Sequence, residues 1–163
     1  MEMVPLSPED PRAVAEMSRM ATEIIREHFD PLVGKAQNDY MIGLFQTAEA
    51  IREQLRRSYR YFFVKEGERN IGFLAFYPRG RVMVLSKFYL YREARGRGLS
   101  RKMLEFLILR AREENLTSIE LNVNRSNSAV AVYEKLGFIR LREEKNDIGS
   151  GFFMDDYVYG MKL

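Results

Sequence analysis

The sequence predicts a mixed α/β fold in a single domain over residues 1–163, and three observations carry that expectation. Strand-like and helix-like hydrophobic patterns alternate along the chain. No repeat, low-complexity tract or Gly/Pro/Ser-rich linker divides it, and its length fits the roughly 100–200 residues of one domain. The composition is that of a folded chain, with 46% apolar and 30% charged residues and with 11 Phe and 9 Tyr to fill a core that has no Trp. The coarse order of elements is β, α, α, β, β, β, α, β, α, β, β.

Residues 1–6 read as a short edge strand. Ser7-Pro8-Glu9-Asp10 reads as a helix start, with Ser as cap, Pro in the first turn and acids facing the positive dipole end. Val14, Met17, Ile24 and Ile25 turn inward, and Pro31 predicts a break near residues 28–31 because it pushes Asp30 out of helical angles. A second helical stretch carries Tyr40, Ile42, Leu44 and Phe45 and runs on over residues 48–59. Residues 61–64 and 71–77 are strand-like, with Gly67-Glu68-Arg69-Asn70 as a hairpin turn. Residues 82–90, VMVLSKFYL, form a nearly continuous apolar run, the pattern of a central strand buried on both faces.

From Leu99 the helical period is strong, with Leu99, Met103, Leu107 and Ala111 stepping by four until Asn115 ends it. Ile119, Leu121 and Val123 alternate with Glu120 and Asn122 as a strand. Residues 126–136 form a helix with Gly137 as its C-cap, and residues 138–142 and 157–163 read as closing strands.

Composition removes whole classes of chemistry. Zero Cys excludes disulfides, thiolate zinc sites and Cys nucleophiles, and one His leaves no multi-His metal site or His relay, so no metal is expected. No run approaches the roughly 18 apolar residues of a membrane span. The opening MEMVPLSPEDPR has no basic region followed by an apolar one, so the cytoplasm is the expected compartment. The net charge, 26 − 23 = +3, is too small to argue for nucleic acid.

Two segments carry chemistry. Arg95-Gly96-Arg97-Gly98-Leu99-Ser100 lies between the apolar strand and the amphipathic helix. Glycines there permit special backbone angles, and the helix that follows offers unpaired N–H groups and a positive dipole end, so the loop suits a phosphate or pyrophosphate. Arg92, Arg95, Arg97, Arg101 and Lys102 crowd the same stretch. A dinucleotide fingerprint is excluded because Arg101 stands at its third glycine, and no Walker string exists. The second segment is NSAVAVYEKLGF, in which Asn127 can cap a helix or bond an amide-bearing ligand and the Tyr133 phenol can donate a proton. A capped helix with a core Tyr accounts for the same residues.

LSKFYLYREARGRGLSRKML and VNRSNSAVAVYEKLGF, in this order and one strand apart, resemble the GNAT superfamily of acetyl-CoA-dependent N-acetyltransferases over residues 61–163. Arg95, Gly96 and Gly98 fit its pyrophosphate loop, Arg/Gln-x-x-Gly-x-Gly/Ala, with Ser100 where Gly or Ala is usual. The family's Asn often precedes the Tyr by seven residues, where this chain has Ser126. The resemblance implies a mostly antiparallel sheet of about six or seven strands, flanked by about four helices and splayed between strands 4 and 5. It implies acetyl-CoA as co-substrate. Backbone groups of Phe88 and Leu90 then hold the pantetheine arm, residues 95–100 (Arg95, Gly96, Arg97, Gly98, Leu99, Ser100) hold the pyrophosphate, Asn127 serves the pantetheine or orders its helix, and Tyr133 protonates the departing thiolate. Residues 1–60 form the acceptor-side portion and residues 61–163 the cofactor-binding core.

The tail GSGFFMDDY with its MKL ending is similar to bacterial amine and polyamine N-acetyltransferases of this superfamily. The expected acceptor is thus a primary amine of a small molecule or polyamine. Asp39 and Tyr40 border its pocket by position, and Asp155, Asp156 and Tyr157 draw in a cationic amine or form an ordinary acidic loop. Glu120 is the candidate base acting through water, against the plainer reading of a solvent-facing strand residue. The resemblance also allows a homodimer. Protein or peptide acetylation, a non-catalytic CoA-binding module and nucleic-acid binding stand as alternatives; the interleaved acids speak against the last.

Overall fold

The computed structural model describes residues 1–163. Its elements are β1 (Glu2–Pro5), α1 (Pro11–Val33), α2 (Lys35–Phe45), α3 (Ala48–Arg57), β2 (Arg60–Glu66), β3 (Arg69–Arg79), β4 (Val82–Leu90), a 3-10 turn at Arg92–Ala94, α4 (Leu99–Glu113), β5 (Ser118–Asn124), α5 (Ala129–Leu136), β6 (Ile139–Gly149) and β7 (Phe152–Lys162). The seven strands follow the order β1-β2-β3-β4-β5-β7-β6. β1–β2, β2–β3, β5–β7 and β6–β7 pair antiparallel, and β4 pairs with β5 in parallel. The mixed, mostly antiparallel sheet is the one expected; the helices number five where about four were expected, because the early helical stretch divides in three.

Two compact units make up the chain. The first is Met1–Tyr77 with Lys87–Arg97. Its core gathers Val14, Met17 and Ile24 of α1, Ile51 of α3, and Tyr61 and Phe73 of the sheet. Phe62 and Phe76 stack on each other at 5.9 Å and are also buried, so these strands bury both faces. Helix α1 starts later than expected. Ser7 accepts the Glu9 N–H in a turn instead, and Asp10 is the cap, its Oδ1 accepting from Ala13 N at 3.1 Å. Pro31 does not break the helix. It lies within the last turn of α1, where few downstream bonds remain to be lost, and the break falls at Gly34 with φ +88°.

The second unit is Pro78–Ser86 with Gly98–Leu163. It buries Met103, Leu104, Leu107 and Ala111 of α4 together with Ile119, Leu121 and Val123 of β5. The parallel ladder runs from Val82–Ser118 to Val84–Glu120, while β4 continues to Leu90 and β5 to Asn124. Asn115 ends α4 region in the left-handed conformation (φ +59°), and Gly137 closes α5 at φ +106°. The closing strands are longer than expected. β6 and β7 form a hairpin of two 11-residue strands turning at residues 149–151, so Asp155, Asp156 and Tyr157 lie in a strand and not in an acidic loop.

Candidate active site

In the first unit the apolar strand delivers the chain into the Arg/Gly segment. Tyr91 N–H donates to Ile71 O, and the 3-10 turn tightens the chain through Ala94 N to Tyr91 O and Arg95 N to Arg92 O. Gly72 makes this path possible. A Cβ at that position would lie 2.2 Å from Tyr89 O, so only hydrogen fits where β3 passes the end of β4. Gly96 follows at φ +74°.

The arginines do not all add free charge. Arg92 Nε lies 2.9 Å from Glu27, and Arg97 donates to both oxygens of Glu66, at 3.1 and 2.6 Å. The Glu66 carboxyl is held below its ordinary value by that guanidinium. Arg95 Nε donates to Leu90 O at 3.1 Å. Two of the five basic side chains of this stretch, Arg92 and Arg97, are thus paired with carboxylates.

In the second unit Gly98 is the N-cap of α4 in the left-handed conformation (φ +74°), without a side-chain cap. The first-turn N–H groups of α4 have no intrahelical partners, and no acid sits in that turn. Open space surrounds the Cβ positions of both Gly96 and Gly98. The glycines serve the backbone angle, and the open side leaves room for an anion at the helix end.

Asn127 is buried, with Oδ1 accepting from Ala129 N at 2.8 Å, so it orders the start of α5. Tyr133 is half-buried on α5, its ring edge-on to Phe138 at 5.9 Å. Burial pushes its phenol pKa upward, which keeps the proton on oxygen at neutral pH.

The acidic candidates separate by sheet face. Glu120 is engaged by Arg142 at 3.3 Å and Arg79 at 3.5 Å. Asp156 pairs in register with Asn124 and Glu144, and Asn122 Nδ2 donates to Glu144 at 3.2 Å. Asp156 is only 3% exposed, and burial first, then the charges of Asp155 and Glu144, raise its carboxyl to about 6 against the help of Asn122 and Arg125. Alternation puts Asp155 and Tyr157 on the opposite face. There Asp155 binds Arg125 at 2.9 Å, and the Tyr157 ring faces Arg125 and Arg140 at 5.1 and 4.5 Å. Asp39 is held by Arg26 and by Lys35 at 2.8 Å, which lowers its carboxyl pKa. It lies on α2 beside the half-buried Tyr40. No three His, Asp or Glu side chains gather as a metal-holding set. No helix is long and apolar enough to cross a membrane.

Two residues carry weight that the sequence reading missed. Gly72 interrupts an apolar strand run, and that interruption was its signal. Glu66 had none, since its partner Arg97 lies 31 residues away.

A profile of the acetyltransferase (GNAT) domain matches residues 35–154. No curated protein matches the sequence. Solved structures do match the fold. The PaiA N-acetyltransferase of Thermoplasma acidophilum, in complex with coenzyme A, superposes with a TM-score of 0.74 at 19% identity over 99% of this chain and 98% of its own. The ribosomal-protein-S18-alanine N-acetyltransferase of Escherichia coli gives 0.68 at 18% identity over 99% and 92%. The dodecameric spermidine N-acetyltransferase of Vibrio cholerae gives 0.65 at 18% identity over the same shares. With the domain profile covering most of the chain, and with the glycine loop and α5 tyrosine in their expected elements, the chain belongs to the GNAT family of acetyl-CoA-dependent N-acetyltransferases.

Proposed function

We propose that the chain transfers the acetyl group of acetyl-CoA to a primary amine of a small molecule or polyamine by direct attack. The observation that carries this reading is the left-handed Gly98 opening α4, with Gly96 before it and open space at both. Backbone N–H groups of residues 95–100 take the pyrophosphate. Backbone groups of Phe88 and Leu90 align the pantetheine arm, Asn127 shapes the α5 end of that arm's site, and a β4 N–H polarises the thioester carbonyl.

The amine nitrogen attacks the carbonyl carbon, the carbon–sulfur bond breaks, and the Tyr133 hydroxyl gives its proton to the leaving sulfur. Burial raises the Tyr133 pKa, so the phenol rests protonated and has a proton to give. An alkylammonium acceptor, with a pKa of about 10.4 in water, must first lose a proton. Glu120 could take it only by giving up two ion pairs, so this reading assigns the role to Asp156, whose carboxyl titrates near neutrality. Asp39, Asp155 and Tyr157 are already engaged by cations, which weakens the case for them as amine ligands and leaves Tyr40 as the acceptor-side candidate on α2.

Calorimetric titration with acetyl-CoA, CoA and ATP, on wild type and on a folded Gly98→Glu, tests the reading. Binding of acetyl-CoA and CoA but not ATP, abolished by the substitution, is expected. A well-folded wild type that binds no CoA refutes it.

A further inference from the structure

Glu66 stands out among the charged residues that the proposed reaction leaves unused. It ends β2, and it binds the arginine that lies inside the glycine loop. Arg97 falls between Gly96 and Gly98, both at φ +74° and both with open space at their Cβ positions. Its guanidinium is thus carried on the stretch of backbone assigned above to the pyrophosphate. Arg97 Nη1 donates to Glu66 Oε1 at 3.1 Å, and Nη2 donates to Oε2 at 2.6 Å. Two N–H donors on two oxygens is also the way an arginine grips a phosphate. The Glu66 carboxylate and a phosphate at this loop offer the same chemistry to one guanidinium.

The path of the loop has other supports within the first unit. Glu66 lies in register with Arg69 at the start of β3, and Arg69 reaches Glu93 of the 3-10 turn at 3.6 Å, a second ion pair of opposite polarity. Arg95 Nε donates to Leu90 O at 3.1 Å, and Tyr91 N–H donates to Ile71 O at 2.9 Å. These contacts hold the loop beside the β2–β3 hairpin without help from Glu66. The Glu66 and Arg97 side chains keep 42% and 47% of their surface exposed, so water weakens the pair and an anion has access to it.

We propose that Glu66 sets the affinity for the cofactor: it competes with the phosphates of CoA for Arg97 and keeps the hold on CoA weaker than the loop alone would give. The inference rests on the acetyl-transfer reading above and deepens its cofactor site. Binding a phosphate through Arg97 first requires breaking two hydrogen bonds to Glu66, and that cost is subtracted from the affinity. The backbone N–H groups of the loop bear no such cost, so they carry the grip. A weaker hold falls on acetyl-CoA and on product CoA alike, and it favours product release, a step that limits turnover in many enzymes.

The test is calorimetric titration with CoA on wild type, Glu66→Gln, Glu66→Ala, Arg97→Gln and the double variant Glu66→Gln/Arg97→Gln, each first checked for a wild-type circular dichroism spectrum. Glu66→Gln is expected to lower the Kd for CoA by about tenfold, the scale of one hydrogen bond to a charged group. Glu66→Ala, which leaves no side-chain acceptor, should gain at least as much. In the Arg97→Gln background the Glu66→Gln change should bring no gain, because no guanidinium is left to release.

Unchanged or weakened CoA binding by Glu66→Gln and Glu66→Ala overturns the inference and makes the pair a support of the loop. So does a gain of the same size in the Arg97→Gln background, which is the signature of a negative charge removed at a distance. A well-folded wild type that binds no CoA overturns the cofactor reading as well. Wild-type binding without the gain overturns this inference alone, so the two failures are distinguishable.

Discussion

Asp156→Asn should change how stability depends on pH, and the size of the effect follows from the carboxyl's surroundings. Asp156 is 3% exposed between β5 and β6, faces Asn122, and feels the charges of Asp155 and Glu144 on one side of the balance and Arg125 on the other. Its carboxyl is raised from 3.8 to about 6 in the folded chain. Between those values the folded state holds a proton that the unfolded state has lost. The resulting stability is complete below the unfolded pKa and disappears as pH rises through the folded one. For this shift the linkage contributes about 2 kcal/mol at about pH 4.5 and almost nothing at about pH 7.5. Asn is nearly isosteric with the protonated acid and cannot ionise. Urea unfolding at both pH values should show Asp156→Asn close to wild type at the lower pH and more stable by about 2 kcal/mol, relative to that baseline, at the higher. A constant offset between the two proteins, or a gap that opens toward low pH, would refute the reasoning.

Further substitutions probe the sheet, the loop and the acid. Gly72→Ala would set a methyl 2.2 Å from Tyr89 O, a backbone atom, and should cost about 3 kcal/mol or more in urea unfolding; Gly160→Ala meets side-chain atoms, Leu141 nearest at 2.6 Å and Glu120 at 3.5 Å, and should cost less. Equal losses at the two sites would contradict the close approach of β4. Gly98→Ala has open space but a φ of +74°, so it should lose about 1–2 kcal/mol while keeping CoA affinity within a few-fold; a normal melting curve without CoA binding would count against that division. Tyr133→Phe should lower kcat by about 100-fold with CoA affinity nearly unchanged. Undiminished turnover across pH would remove the phenol from the proton path.

What the sequence made legible follows from where its signals are local. Helix α4 was readable because Leu99, Met103, Leu107 and Ala111 repeat at the helical period and because Gly98 and Asn115 punctuate it. The parallel pairing of β4 with β5 across α4 is a finding of the structure. The hairpin of β6 and β7 was underestimated, since most of β6 is exposed and it alternates no apolar face; its length comes from pairing with β7, which a single strand cannot advertise. At the start of α1 an acceptable cap, Ser7, lost to Asp10 three residues later, and Pro31 proved a poorer stop signal than Gly34. At the site, the positions of Gly96, Gly98 and Tyr133 were accessible from motif and period. The engagement of Arg97 by Glu66 and that of Glu120 by two arginines were not, because each depends on segments distant in sequence.

The bonds from Glu27 to Arg92 and from Glu66 to Arg97 bear on selectivity among anions. Binding that relies on free guanidiniums releases counterions and fades as ionic strength rises. Here two of those guanidiniums already have carboxylate partners, and in the proposed reading the backbone N–H groups of the loop are what grips a diphosphate. Such a grip depends on shape more than on net charge. It would tolerate cellular salt, discriminate by the spacing of two phosphates, and give long polyanions such as RNA little purchase on the same loop.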